Sequence, residues 1–198
     1  MEDESSRLSA LVASVKSGNE NAAKELIDSL YPRVIRIVRA NLPYATDEED
    51  LSQEIFMKVF AKIDQYRGTR EITHWVSRIA MNTCYDRLRA QRASPELRYA
   101  DLSLPQVEFL EKTLVGTQSE AKSVGGGTPG IAKELIDQLL STLKPNEQIV
   151  IRLLDMEQKS VAEISELTNW GASKIKVTAM RARRKLRKKL EHLEKTNH

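Results

Sequence analysis

The sequence predicts an all-α protein made of two small helical domains joined by a flexible linker, the second of which ends in a helix-turn-helix. Apolar residues recur at helical spacing through most of the 198 residues, and no stretch alternates with the period of two that a strand requires. This periodicity stops over 94–130, which holds three of the six prolines and five of the eight glycines. The predicted domains are therefore 1–93 and 131–198, with 94–130 as the linker.

Capping and breaking residues set the bounds of the first two predicted helices. Gly18 should end the first helix, because glycine readily adopts the left-handed conformation found there. Asn19 or Asn21 can cap the second helix. Pro32 falls within that helix, so a kink or a break is expected near it.

Two longer helices complete the first domain. Thr46 and Glu49 have the spacing of a capping box, which predicts a third helix from there to about Ile63. A fourth helix is predicted over 73–91. Trp75 falls on the apolar face of this helix and is interpreted as a core residue rather than a platform for a base.

The second domain ends in two short helices separated by a tight turn. Pro145 suits the first position of a helix that leads into this unit. Ser160 and Glu163 form a capping box, residues 168–171 break the pattern, and a further helix starts near Ser173. This arrangement predicts a helix-turn-helix, whose second helix normally lies in the major groove of DNA.

Charge is distributed unevenly along the chain. Residues 174–195 carry ten Lys and Arg against two Glu, a net of +8, whereas the whole chain has a net charge of only +3. A second basic patch over 66–92 has six Arg against Glu71 and Asp86. Such patches are typical of nucleic-acid contact surfaces, and a solvated terminal helix is the alternative on charge alone. The preceding helix and turn favour DNA.

Composition argues against several other classes of protein. Cys84 is the only cysteine, and the three histidines have no metal-ligand spacing, so neither a metal nor another cofactor is expected. No apolar run approaches the roughly 18 residues that cross a membrane, and the acidic N-terminus is no signal peptide. A cytoplasmic protein without a catalytic constellation, hence not an enzyme, is expected.

Three motifs occur in an order that resembles the bacterial sigma-70 family. The sequence DLSQEIF at 50–56 resembles the DLxQExF motif of the second conserved region of that family. Residues 66–68, Trp75 and RIAMN at 78–82 resemble the segment that follows it. The stretch 143–186, with the predicted helix-turn-helix, resembles the fourth region. The order, the spacing and the missing intervening domain resemble the extracytoplasmic-function (ECF) group.

The resemblance implies a polymerase-binding face on the third helix, which in the family docks on the clamp helices of the largest RNA polymerase subunit. Four residues spaced i, i+3, i+4 and i+7 project together from one side of the predicted helix. An ordinary solvated face is the alternative. The predicted polymerase contacts are Asp50, Gln53, Glu54 and Met57.

The resemblance also implies that the loop at 68–72 and Asn82 hold a base flipped out of the −10 promoter element. An Asn amide can both donate to and accept from a base edge. The predicted −10 contacts are Arg67, Gly68, Thr69, Arg70, Arg78, Asn82, Thr83, Arg87 and Arg89.

The second helix of the helix-turn-helix is expected to read the −35 element. Many relatives carry a Ser-Arg pair where this chain has Val177-Thr178, which leaves the −35 sequence open. Trp170, in the turn, is interpreted as a packing anchor. The predicted −35 contacts are Lys174, Lys176, Val177, Thr178, Arg181, Arg183 and Arg184.

The function that the resemblance implies is that of a transcription initiation factor. It would bind the clamp helices and flap of core RNA polymerase, direct it to −10 and −35 elements and promote DNA opening, and an anti-sigma factor could regulate it. One alternative is a sigma-like decoy that binds an anti-sigma factor without promoter recognition. Another is a conventional repressor or activator, which would leave 50–56 and Asn82 unexplained.

Overall fold

The computed structural model describes residues 2–43, 47–93 and 136–196, and every regular element within those ranges is helical. The fold is therefore all-α, as predicted. The linker predicted over 94–130 lies outside the described residues. The helices before it are α1 (Glu2–Lys16), α2 (Glu20–Asn41), α3 (Glu48–Ala61) and α4 (Ile72–Ala93), with a 3₁₀ turn at Ile63–Gln65. After a helical stretch over 136–141 come α5 (Pro145–Ile151), a π-helical turn (Arg152–Met156), α6 (Val161–Thr168) and α7 (Ala172–Thr196).

The first helix ends where the sequence predicts, and the second begins there. Gly18 has φ +87°, and the Asn19 side chain accepts hydrogen bonds from the amides of Asn21 and Ala22. A kink or a break was expected near Tyr31, and the break does not occur, because α2 continues from Glu20 to Asn41 with Pro32 inside it. Pro32 lies on the exposed side, where the carbonyl that it leaves unbonded can reach water.

The cap of α3 corrects the sequence interpretation. Asp47 is the N-cap, and its Oδ1 accepts from the amides of Glu49 and Asp50 at 3.1 and 3.0 Å. The predicted Thr46 lies outside the described residues. Any of the small polar side chains can cap a helix, so two adjacent candidates are hard to separate from sequence.

Apolar stripes position the four N-terminal helices. Helix α2 packs against α1, α3 and α4, and its buried side chains recur every four residues. Trp75 is half-buried and packs against the core, with its ring centroid 5.5 Å from that of Tyr66. The fully buried side chains include Leu26, Leu30, Val34, Leu51, Ile55, Val59, Val76, Ala80 and Cys84.

The helix-turn-helix has the caps that its sequence predicts. Ser160 Oγ accepts from the Glu163 amide at 3.2 Å, while a Glu163 carboxylate oxygen accepts from the Ser160 amide at 2.7 Å. Helix α6 ends at Asn169, which has a left-handed backbone (φ 59°) and turns the chain toward α7. Pro145 opens α5 as predicted.

Ion pairs with at least one buried member join the helices of the C-terminal part. Arg152, only 1% exposed, donates to Asp137 Oδ1 at 2.5 Å. Glu147 accepts from Lys185 Nζ at 2.7 and 2.8 Å, which ties α5 to α7. Neither pair was expected from the sequence, since these residues are far apart in it and carry no motif.

The two halves of the chain pack against each other. Helix α4 contacts both α5 and α6. Ile149 and Ile164 of the C-terminal half belong to the same buried cluster as Leu51 and Val76 of the N-terminal half. Among the helices within the described ranges, none is long and apolar enough to cross a membrane.

Candidate polymerase and promoter interfaces

Helix α3 presents the predicted polymerase contacts on one side. Asp50, Gln53 and Met57 are exposed, and Glu54 is half-buried. Met57 is 73% exposed, so its apolar side chain is available to a partner.

Two cations of the N-terminal domain hold the carboxylates of this face. Arg87 on α4 donates to Asp50 Oδ2 at 3.1 Å and to Glu54 Oε2 at 2.9 Å. Lys58 donates to the other oxygen of Glu54 at 2.7 Å. The hydrogen bond from Lys58 lowers the pKa of Glu54, and that from Arg87 lowers it further, against the opposing effect of burial. Arg87 therefore faces α3, and its predicted contact with the −10 element is not supported by this arrangement.

The loop before α4 is closed by one tyrosine. The Tyr66 hydroxyl donates to the Arg70 carbonyl at 2.5 Å, and Lys16 donates to the Tyr66 carbonyl at 2.7 Å. Gly68, between these anchors, has φ +70°, a conformation that favours glycine. The predicted contacts Arg67 and Thr69 are exposed on this loop.

One stripe of α4 carries the remaining predicted −10 contacts. Arg78, Asn82 and Arg89 are spaced at i, i+4 and i+11, so they lie along the same side of the helix. Asn82 and Arg89 are exposed, and Arg78 is half-buried. The Asn82 amide makes no hydrogen bond with a described residue, which leaves its donor and acceptor available to a base edge.

Two threonines predicted to contact DNA are in the interior. Thr83 is 2% exposed, donates to the Ile79 carbonyl at 2.9 Å and accepts from Lys58 at 3.3 Å. Thr178 is 7% exposed on the inner side of α7. Neither buried side chain can reach a base in this structure without repacking, so the structure does not support these two predicted contacts.

Helix α7 exposes most of the predicted −35 contacts. Lys174, Lys176, Val177, Arg181 and Arg184 are exposed.

Arg183 is also exposed but has an internal role. It forms two hydrogen bonds to the carboxylate of Asp155 in the π-helical turn, one of them from Nε at 3.1 Å. Arg183 thus braces α7 against the preceding turn.

A shallow groove beside α7 was missed by the sequence analysis. Leu154, Val161 and Met180 contribute apolar surface to it, and Lys176 and Arg187 contribute charge. Met180 is 63% exposed, off the buried stripe of α7 that Ile175, Ala179 and Ala182 form. Within the described ranges, no cluster of three His, Cys, Asp or Glu side chains is arranged to hold a metal ion.

Comparison with known families identifies both halves of the chain. The family model described as Sigma-70 region 2 matches residues 26–94, and that described as Sigma-70, region 4 matches residues 133–186. The chain belongs to the sigma-70 family.

Curated relatives place this sigma factor in the ECF group. It is 28% identical over 185 residues to the ECF RNA polymerase sigma factor SigW of Bacillus subtilis strain 168, covering 92% of this chain and 96% of that protein. It is 24% identical over 187 residues to the ECF RNA polymerase sigma-E factor of Escherichia coli K12, covering 92% and 94%.

Two solved structures share the fold of this sigma factor. CnrH in complex with the cytosolic domain of CnrY matches with a TM-score of 0.53 at 20% identity, over 92% of this chain and 96% of that one. The sigma factor RpoE in complex with the anti-sigma factor NepR, from Bartonella quintana, matches with a TM-score of 0.50 at 18% identity, over 88% and 98%.

These findings establish the function at the level of the family. The chain is a transcription initiation factor that binds core RNA polymerase, directs it to −10 and −35 promoter elements and promotes DNA opening. They do not favour the decoy alternative.

Proposed function

We propose that this sigma factor divides its work between the two domains predicted from its sequence. Residues 1–93 bind core polymerase through α3 and the −10 element through α4 and the loop before it, and residues 131–198 bind the −35 element through α7. The observation that carries the proposal is the Arg78–Asn82–Arg89 stripe on the helix that follows the Tyr66-closed loop, because this stripe combines cations with an open amide.

The polymerase-binding face combines an apolar side chain with polar ones. Met57 supplies contact area, and the exposed Asp50 and Gln53 can accept hydrogen bonds from Arg and Lys side chains of the clamp helices. Arg87 and Lys58 hold Glu54 in place, so this carboxylate is preorganised before polymerase arrives.

The −10 face has the two components that strand opening requires. Exposed arginines attract the phosphate backbone, while a pocket or an amide is needed to hold an unstacked base. Asn82 offers such an amide, with Arg78 one turn before it and Arg89 two turns after it. Capturing the flipped base offsets part of the few kcal/mol that unstacking costs.

The proposal also covers the source of catalysis, the location of the protein and its further partners. Polymerase supplies the catalysis, and the sigma factor itself is not an enzyme and needs no cofactor. It acts in the cytoplasm and also contacts the polymerase flap. Because a structural relative was solved with an anti-sigma factor, we include such a regulator among its partners.

Run-off transcription with core polymerase tests this proposal. A library of promoter templates, selected for retention by the reconstituted holoenzyme, should yield templates that share two elements and support transcript formation. Core polymerase without the sigma factor is the control. Stable binding to core polymerase with no transcript from any template would overturn the proposal.

A further inference from the structure

Helix α1 lies before residues 26–94, which match the family model, yet it is firmly held in the N-terminal domain. Its Leu8 and Val12 are each 4% exposed and belong to the main buried cluster. Arg7 forms an ion pair with Glu25 of α2, with 2.5 Å between Nη2 and Oε1. The C-terminal end of α1 is therefore fixed relative to the rest of the domain.

That end of α1 contacts the loop that precedes α4. Lys16, the last residue of α1, donates to the Tyr66 carbonyl at 2.7 Å, and its ammonium lies 5.9 Å from the centroid of the Tyr66 ring. The centroid of the same ring lies 5.5 Å from that of Trp75, in the first turn of α4. Tyr66 is thus held by both the end of α1 and the start of α4.

The Tyr66 hydroxyl closes the loop over residues 67–70. It donates to the Arg70 carbonyl at 2.5 Å, and among the described residues no other hydrogen bond reaches the backbone of 67–70. Burial, followed by the charge of Glu71, raises the pKa of Tyr66 above its ordinary value, so the hydroxyl stays protonated at neutral pH. A side chain at Gly68 would meet nothing within 4 Å, so the closed loop has open space beside it.

We propose that Tyr66 is a positioning residue of the −10 interface, and that Lys16 holds it in place from α1. This inference rests on the proposed role of the loop in holding a flipped base. The hydroxyl fixes the loop in one shape before DNA arrives, so less conformational freedom is lost when the base enters. Neither side chain needs to touch the base, because each acts through the loop.

A positioning role predicts a loss of affinity that is confined to the captured base. A residue that shapes the loop contributes when a base occupies the loop, whereas a contact with the phosphate backbone contributes whether or not that base is present. An abasic site removes the base and keeps every phosphate. The two roles therefore differ in how they respond to an abasic site.

Binding of the holoenzyme to a single-stranded oligonucleotide measures this difference. The oligonucleotide carries one strand of the −10 element of a selected promoter, each strand being tested, and copies of it have an abasic site at each −10 position in turn. The position at which the wild-type affinity falls most identifies the captured base. Tyr66→Phe removes only the hydroxyl and keeps the ring that packs against Trp75.

Tyr66→Phe should bind core polymerase normally and bind the intact oligonucleotide about threefold to tenfold less tightly, the effect of one lost hydrogen bond. Its affinity for the oligonucleotide that lacks the captured base should equal that of the wild type. The matched control is Tyr31→Phe, which removes the hydroxyl of a tyrosine on α2 that is 41% exposed. This control should bind both oligonucleotides like the wild type.

Lys16→Met tests the support from α1 without changing the loop. Methionine keeps an unbranched side chain but has no ammonium to donate to the Tyr66 carbonyl. The ratio of the affinities for the intact and abasic oligonucleotides should fall about twofold to fivefold, as for the loss of other exposed charged contacts. The matched control Lys24→Met removes the same charge from an exposed position on α2 and should leave that ratio unchanged.

The ratio of the two affinities also separates the ways in which the inference can fail. In Tyr66→Phe, an equal loss for both oligonucleotides, or no loss for either, would overturn the positioning role and leave the proposed function standing. An unchanged ratio in Lys16→Met would overturn the support from α1. A wild-type holoenzyme that loses no affinity at any abasic site would contradict base capture by this domain, and the positioning role with it.

Discussion

The interiors of the two domains are built from different kinds of side chain. Within the described residues, the N-terminal part buries only uncharged polar side chains, namely Asn41, Ser52, Ser77 and Thr83. The C-terminal part buries Asp137, Glu147 and Arg152, which carry charge. Apolar side chains and neutral polar groups thus fill the interior of α1 to α4, whereas the interior around α7 also contains charged side chains.

This difference follows from the sizes of the two units. A small domain buries a smaller share of its surface, so fewer apolar contacts are available to define its geometry. Glu147–Lys185 and Arg183–Asp155 each tie α7 to a neighbouring element at a defined point along the helix. We therefore expect substitutions of interior charges to unfold the C-terminal part, and substitutions of surface residues in the N-terminal part to change binding without changing stability.

Arg152→Ala should have the largest effect. It leaves Asp137 charged and buried without this partner, and loss of one member of a buried pair typically costs about 3–5 kcal/mol. Denaturant unfolding followed by circular dichroism should show an early transition for the C-terminal helices. Arg39→Ala, which removes the exposed pair with Glu48, is the control and should leave that transition in place. Equal unfolding midpoints for Arg152→Ala and the wild type would show that the Arg152–Asp137 pair does not stabilise the C-terminal part.

Glu147→Gln should alter how stability depends on pH. Burial raises the pKa of Glu147, but hydrogen bonds from Lys185 and the Lys144 amide outweigh this effect and lower it below the usual 4.5. A carboxylate with a depressed pKa stabilises the fold above its unfolded pKa, and this contribution is lost as pH falls through the folded pKa. The free energy of unfolding should therefore fall below about pH 4.5 in the wild type. The variant should be about 1–3 kcal/mol less stable at pH 7 and show a flatter acid limb. An acid limb of the same slope would contradict the assignment.

Features that depend on local sequence patterns could be predicted, whereas features that depend on tertiary packing could not. The stripes of α2 and α3 follow helical periodicity, and the caps at Asn19 and Ser160 follow from side-chain chemistry, so these features were correctly predicted. Arg87 was assigned to DNA because six arginines share its segment, yet its position on α4 turns it toward Asp50. Burial of Thr83 and Thr178, and the contact between Tyr85 and Trp170, depend on tertiary packing that no local pattern reports.

Met57→Ala should weaken polymerase binding while leaving the fold intact. Loss of a large apolar contact should reduce the affinity for core polymerase about fivefold to tenfold. Because Met57 is 73% exposed in the free protein, the unfolding midpoint should not change. Competition against a fluorescent sigma factor for core polymerase measures the affinity. Unchanged affinity would show that Met57 does not contribute to the polymerase interface.

Lys176→Ala should have the smallest effect. An exposed lysine on the flank of α7 is expected to contact one phosphate. Promoter affinity of the holoenzyme should fall uniformly across −35 sequences, and the slope of log K against log salt should decrease by about one. A change confined to one −35 sequence would show that Lys176 reads a base instead.

Asn82→Ala provides the most direct test of the central claim, that the N-terminal domain opens DNA through an amide on α4. Holoenzymes with the wild type and the variant are compared by run-off transcription on a fully paired promoter and on the same promoter with a pre-melted −10 element. The variant should bind polymerase normally, yield about tenfold less transcript from the paired template, and recover most of that loss on the pre-melted one. Equal transcript from the paired template would contradict the claim.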